Sequence, residues 1–276
     1  MGQTDEFCFG DDSVAGSYDD VLVPILFEPW AAMLVDEHQP WAGKRILDLA
    51  TGTGILAQLL AEHAGPEGSV VGSDINGEML ARAKTRCEAS KHSISFVESQ
   101  AESLSLPSDS FDVVVCQQGF QFFSNKDDAA AEIHRVLRSS GRTVVTTWRP
   151  VSECLFFGAI CSALESVGEP DISQMMRMPF DFFSEDDLVS HFKSAGFHNI
   201  QLTHRQSDLM MHDGTAHAIR AAYSTPIGPR LSSLAEDRQS KFRELLSELV
   251  GNLSDDGVTI GQMASNVLTA EKTATA

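Results

Sequence analysis

Apolar and polar positions alternate along this chain in two rhythms. From about residue 45, short apolar runs at 45–50, 69–74, 93–98, 111–116 and 142–148 are separated by stretches whose apolar residues recur every three or four positions, at 55–63, 78–88 and 126–138. Each run is apolar enough to be buried on both faces, so the runs predict strands. The stretches between them predict amphipathic helices, as Ile133, Val136 and Leu137 illustrate. Alternation of this kind predicts an α/β fold: a parallel sheet with right-handed crossovers and helices on both faces.

After Pro150 the rhythm changes. A helical pattern over 153–167 is followed by a Met-rich stretch that reads as a loop. Ser184-Glu-Asp-Asp then reads as a capped helix start running to Gly196. Residues 198–211 alternate loosely like a strand, 214–223 and 231–250 look helical, and 262–271 predict a closing strand. There is no internal repeat, and the low-complexity tail at 269–276 reads as frayed.

Composition narrows the partners. Of 276 residues, 42% are hydrophobic and 21% charged, as in an ordinary globular protein. Twenty Lys and Arg against 39 Asp and Glu leave a formal charge of −19, which opposes binding to the phosphate backbone of nucleic acid. The cysteines, Cys8, Cys87, Cys116, Cys154 and Cys161, are odd in number and lack a C-x-x-C pair, so reduced thiols are expected rather than disulfides or zinc. The nine histidines show no ligand spacing, and no metal is expected. No apolar run approaches membrane-spanning length, and the acidic opening lacks a secretory or myristoylation pattern. A cytoplasmic protein without stable membrane insertion is expected.

The candidate chemistry begins where the first predicted strand ends. Asp48-Leu-Ala-Thr-Gly52-Thr-Gly54 leads straight into a helix. Glycine permits positive φ and close approach of the backbone to a ligand, while the helix N-terminus offers unpaired N–H groups. Asp74 ends the second strand, 20 residues beyond Gly54, where a carboxylate can accept from both hydroxyls of a ribose. An adenosine-containing cofactor is predicted. Two such cofactors compete, and Asp48 discriminates between them. A carboxylate beside the loop repels the diphosphate of a nicotinamide dinucleotide, yet suits the ammonium of a methionine moiety.

The chain here resembles the class I S-adenosylmethionine-dependent methyltransferases, especially the branch of ubiquinone/menaquinone-biosynthesis C-methyltransferases. The likeness is carried by Ile46-Leu-Asp-Leu-Ala-Thr-Gly-Thr-Gly54, Val71-Gly-Ser-Asp-Ile-Asn76, Leu104-Ser-Leu-Pro107, Ser110-Phe-Asp-Val-Val-Val-Cys116 and Glu132-Ile-His-Arg-Val-Leu-Arg-Ser-Ser-Gly141. It is strong over about 40–150 and thinner beyond. The resemblance implies a Rossmann-like fold with a seven-stranded, mostly parallel sheet and helical cap insertions. It implies S-adenosylmethionine as cofactor, with Asp48, Ala50, Gly52 and Gly54 in the methionine loop and Asp74 on the ribose. Ile75 and Met79 would flank the adenine, and Gln100-Ala101 would meet its edge where the family usually has Asp-Ala. Gln117 would lie beside the methionine ammonium, with 119–123 facing the transferable methyl.

The same resemblance divides the chain into an N-terminal helical lid at 1–40 whose Tyr18 would contact the cofactor, a cofactor core at 41–150, and a remainder at 151–276 carrying substrate caps at 151–183 and 212–257. Gln121 and Trp148, at carboxyl ends of strands, are candidate substrate contacts. A small methyl acceptor, apolar or aromatic, is expected from Met175, Met176, Met178, Phe180, Phe182, Phe183, Met210 and Met211. The catalytic residue is not identified; His212, His217 and Tyr223 are the candidate bases. A nicotinamide oxidoreductase and a non-catalytic S-adenosylmethionine-binding protein stay open as alternatives. The acceptor's identity, the atom methylated and the oligomeric state are not readable from the sequence.

Overall fold

The computed structural model describes residues 16–181, 184–254 and 256–273. Cys8, Phe182 and Phe183, with the first fifteen residues of the expected lid and the last three of the tail, lie outside them. The chain divides into two compact units. One gathers the described residues of Met1–Phe27, Trp148–Phe182 and Arg205–Ser265; the other gathers those of Glu28–Thr147, Phe183–His204 and Asn266–Ala276.

A π-helical segment, Tyr18–Phe27, contains Pro24, which lacks the N–H that an α-turn needs. Then come α1 (Glu28–Glu37), β1 (Arg45–Leu49), α2 (Ile55–Ala64), β2 (Ser69–Asp74), α3 (Gly77–Cys87), β3 (Ile94–Glu98), β4 (Phe111–Gln117), α4 (Lys126–Val136) and β5 (Leu137–Trp148). The second half contains α5 (Leu155–Ser166), α6 (Pro170–Arg177), α7 (Glu185–Ser194), β6 (Phe197–Met210), α8 (Gly214–Tyr223), α9 (Gly228–Ser233), α10 (Glu236–Asn252) and β7 (Thr259–Lys272). The seven strands form one sheet in the order β3-β2-β1-β4-β5-β7-β6.

β1 runs parallel to β2 and β4, β2 to β3, and β4 to β5. The last strand runs the other way. Thr147 and Leu137 of β5 meet Asn266 and Lys272 of β7, and Asn199 and Thr203 of β6 meet Glu271 and Val267, so rising numbers on one strand face falling numbers on the other. The sheet is therefore mixed and mostly parallel, as expected.

Burial on both faces follows from the two-residue period of the strands. In β1, Ile46 packs in one core and Leu47 and Leu49 in the other; β4 alternates likewise, Val113 and Val115 against Val114 and Cys116. One core is completed by α1 and α2 through Leu34, Leu56 and Leu60, the other by α4 and α7 through Ile133, Leu188 and Phe192. Ser184 caps α7 in a reciprocal box with Asp187, as its spacing predicted.

Three expectations need correction. The Met-rich stretch is not wholly a loop: Pro170 starts α6, and Ile172 and Met176 are buried one turn apart. The helical pattern at 231–250 is two helices, because extended backbone at Leu234 and Ala235 breaks it. The tail expected to fray over 269–276 is strand as far as Lys272 of β7, with Ala270 buried. In the unit that holds α6, α10 packs on α5 and α8 through Phe242, Leu246 and Val250, which lie four residues apart.

Phe192 is fully buried, with its ring 5.2 Å from Phe120 and 5.4 Å from Phe197. Phe192→Ala should cost about 3–5 kcal/mol of stability in urea denaturation. A loss below about 1 kcal/mol would show that this core collapses around the missing ring.

Candidate active site

The strand order reverses between β1 and β4, and in open α/β sheets ligands gather at the carboxyl edge of such a point. The loop after β1 occupies that edge. Ala50 has φ 58°, Gly52 54° and Gly54 85°, so the turn rests on three left-handed residues, one of them not a glycine. Across the reversal, Gln118 after β4 has φ 54° and donates its N–H to the Thr146 carbonyl and hydroxyl, both at 3.1 Å. Gly119 lets the two loops meet, since a Cβ there would lie 2.5 Å from the Ala50 methyl.

The two glycines of the β1 loop do different things. A Cβ on Gly54 would sit 2.9 Å from that of Ala83, so Gly54 lets the start of α2 pack on α3. A Cβ on Gly52 would meet nothing within 4 Å. Gly52 thus faces open space, as a backbone approached by a ligand must.

Two carboxylates organise the loop. Asp48 is buried; its Oδ2 accepts from the Thr51 hydroxyl at 2.6 Å, and the carboxylate also accepts from the Ala57 N–H in the first turn of α2. Asp74 accepts from the Gly52 N–H and the Asn76 N–H, each at 2.9 Å. Asn76 in turn caps α3 by accepting from Glu78 and Met79. Burial pushes the Asp48 carboxyl up to about 7, against the Thr51 bond, with the Asp74 charge adding to the rise. Asp74 is also raised, again chiefly by burial.

Among the described residues, no Lys or Arg forms an ion pair with either acid. The buried Thr53 hydroxyl has no hydrogen-bond partner. An adjoining pair of desolvated acids favours a cationic ligand. It disfavours a diphosphate, because the α2 N-terminus that would take one already donates to Asp48.

Tyr18 apart, the other expected cofactor residues lie in the same unit. Ile75 is exposed, Met79 and Ala101 are buried, and Gln100 is exposed on a turn bridged to Ser103. Gln117 is half-buried and Gln121 buried, in a short turn at Phe120–Phe122. The segment 119–123 does not present all its rings outward: Phe120 is in the core against Phe192, and Phe123 packs on it at 5.6 Å. Only Phe122 among them is exposed.

Tyr18, Trp148, His212, His217 and Tyr223 belong to the other unit. There, rings run from Tyr18 to Phe27 at 5.1 Å, to Trp148 at 6.4 Å and to Phe180 at 6.3 Å. His212 is exposed. His217 is held below the usual imidazole range by burial and by Arg220. The Tyr223 hydroxyl donates to Gln239 at 3.4 Å and lies 3.5 Å from Arg243. Of the Met and Phe residues expected to line a pocket, Met176, Phe180 and Met211 are buried, Met175 and Met178 half-buried and Met210 exposed.

Sequence reasoning assigned no role to Thr51 or Asn76 and did not foresee that Gly119 packs against Ala50. An Asn one residue before a helix is a readable cap signal; the Gly119 contact with Ala50 joins positions too distant to leave a local pattern.

Residues 46–141 match a family model described as a methyltransferase domain. Over that segment the chain is similar to the class I S-adenosylmethionine-dependent methyltransferases. It is similar to the ubiquinone/menaquinone biosynthesis C-methyltransferase UbiE of Methylococcus capsulatus, with 37% identity over 145 residues, covering 51% of this chain and 58% of that protein. It is 43% identical over 121 residues to a demethylmenaquinone methyltransferase of Thermus thermophilus, covering 44% of this chain and 54% of the relative. The match thus spans little more than half the length of these curated relatives. Phosphoethanolamine N-methyltransferase 2 of Haemonchus contortus, solved in complex with S-adenosyl-L-methionine, has the same fold, with a TM-score of 0.59 at 18% identity over 95% of this chain and 57% of that one.

The Asp48 carboxyl yields a test that needs no ligand. An acid whose value is raised by folding stabilises the fold below its unfolded value near 3.8 and loses that contribution as pH rises towards 7. Asp48→Asn should therefore be more stable than the parent at pH 8, by up to about 4 kcal/mol at about 1.4 kcal/mol per unit of displacement, and the gain should shrink towards pH 4. Urea melts at both pH values check this; a variant no more stable at pH 8 refutes the desolvated state of Asp48.

Proposed function

We propose that this chain transfers a methyl group from S-adenosylmethionine to a small apolar or aromatic metabolite by in-line displacement. The observation that carries the reading is the Asp48–Asp74 pair beside the open face of Gly52. The Asp74 carboxylate accepts from the backbone N–H groups of Gly52, Asn76 and Ile75, and of its roughly four lone-pair sites one is left for a ribose hydroxyl. Asp48 would act through the loop and the α2 N-terminus, compensating the cation of the methionine part. Ile75 and Met79 would bracket the adenine, Gln100 and Ala101 would meet its edge, and Gln117 would take the methionine ammonium. When bound, S-adenosylmethionine supplies an electrophilic methyl on a sulfonium.

What remains for the protein is alignment and exclusion of water. Gln121 and Trp148 are the proposed acceptor contacts, and the segments 1–40, 151–183 and 212–257 the proposed lid and caps. The relatives named for quinone C-methylation support an aromatic carbon as the atom attacked. A ring carbon activated by a neighbouring phenolate needs no dedicated base. That agrees with a Tyr223 hydroxyl engaged by Gln239 and with His212 and His217 filling only candidate roles. Net charge of −19 supports a small-molecule partner over nucleic acid. Among the described residues no helix is long and apolar enough to cross a membrane.

Asp74→Ala should weaken S-adenosylmethionine binding by about 1–3 kcal/mol in calorimetry, through loss of charge-assisted hydrogen bonds. Gly52→Val should abolish binding while the fold persists, because it fills the open side of a left-handed residue. Unchanged affinity in both would move the cofactor elsewhere. In a thermal shift, S-adenosylmethionine should raise the melting temperature and NAD(H) should not; the reverse pattern would favour an oxidoreductase. Methyl-labelled S-adenosylmethionine incubated with source-cell extract should label a small molecule. Tight binding with no transfer to any acceptor would favour the non-catalytic reading.

A further inference from the structure

We infer that Glu102 is a positioning residue that couples the adenine-binding turn to the loop presented to the acceptor. The inference rests on the cofactor reading above and assigns a role to a residue outside it. The turn after β3 is closed by pairing between Gln100 and Ser103, whose N–H donates to the Gln100 carbonyl at 3.2 Å. Its two central residues are Ala101, proposed to meet the adenine edge, and Glu102. The Glu102 Oε1 accepts from the N–H groups of Ser124 at 2.7 Å and Asn125 at 3.3 Å.

Those two N–H groups end the loop that begins at Gln118 and holds Gln121. The loop has three anchors. At its start, Gln118 is pinned to Thr146 on β5. Near its end, the Lys126 ammonium donates to the Phe123 carbonyl at 2.8 Å and is drawn electrostatically to Glu102. The third anchor is Glu102 itself, and of the three it alone stands on the turn that carries the adenine contacts.

The far side of that turn is held independently. Leu104 donates to Glu132 at 2.7 Å, Arg135 donates to the carbonyls of Leu104 and Leu106, and Ser105 donates to the Ser99 hydroxyl at 2.8 Å. With residues 104–108 laced to Glu132 and Arg135 in the later turns of α4, the Glu102 carboxylate is the direct hydrogen-bonded link from the turn of Gln100 and Ala101 to Ser124 and Asn125 of the acceptor loop. Ordering the turn around an adenine therefore orders 118–125, and the acceptor loop closes best when the cofactor is in place.

Amide hydrogen exchange tests this on the full chain, with affinities from calorimetry. Saturating S-adenosylmethionine should slow exchange in 118–126 by about fivefold or more in the parent. Saturating 5′-methylthioadenosine, which lacks the amino-acid part, should do the same. Glu102→Ala should lose this protection while binding S-adenosylmethionine within about threefold of the parent, and Glu102→Gln, whose amide oxygen still accepts, should retain it. If Glu102→Ala does not fold, Glu102→Asp, one methylene shorter, should show the loss instead.

Protection that survives in Glu102→Ala or Glu102→Asp overturns the coupling. So does protection that needs the amino-acid part of the ligand, or a parent that binds S-adenosylmethionine without slowing exchange in 118–126. A parent that binds no S-adenosylmethionine overturns the cofactor reading first and the coupling with it.

Discussion

Two carboxylates that repel one another stand on adjacent strand ends, and the site is built around holding them there. Asp48 and Asp74 are both desolvated, and each is raised from its ordinary value. Their burial is offset by five N–H or O–H donors, from Thr51, Ala57, Gly52, Asn76 and Ile75, and every one of those donors belongs to the loops and helix starts at the ends of β1 and β2. The carboxylates thus determine where the loop backbone goes as well as what it attracts. A cation arriving there meets charge already oriented, with little reorganisation left to do.

The alternation of β1 to β5 with their helices was legible because burial on both faces leaves long apolar runs and helices leave a three-to-four spacing. The glycine loop and Asp74 were legible for a related reason: position at a strand end carries chemical meaning before any coordinates are known. What could not be read were contacts between distant stretches. Gly54 looked like a ligand contact, and much of its need for glycine comes from Ala83, 29 residues on. Gly119 is required by Ala50, and Phe120 is claimed by a core that includes Phe192 of α7. The α6 helix was hidden because its eight residues include too few turns to establish a period.

The candidate acceptor residues divide along the same line. Gln121 sits in a turn whose neighbours are anchored by backbone bonds, so its placement is local and rigid. Trp148 belongs instead to a run of rings that starts at Tyr18 and continues through Phe180 to Phe157, at 4.8 Å, and Phe156, at 5.2 Å. Trp148, Phe180, Phe157 and Phe156 are buried, so this run of large flat side chains is part of the packing of its unit.

Each compact unit is assembled from three separated stretches of chain, so the polypeptide crosses from one to the other five times between residues 27 and 266. Neither unit can be cut out as a continuous fragment, since any excision that keeps 148–265 also removes 183–204 from its own unit. Contacts in both join residues more than a hundred positions apart, as between Arg149 and Ala264. Long loops must close before those contacts form, which slows folding relative to a chain of sequential modules. Loss of the last strand would therefore be felt in both halves at once.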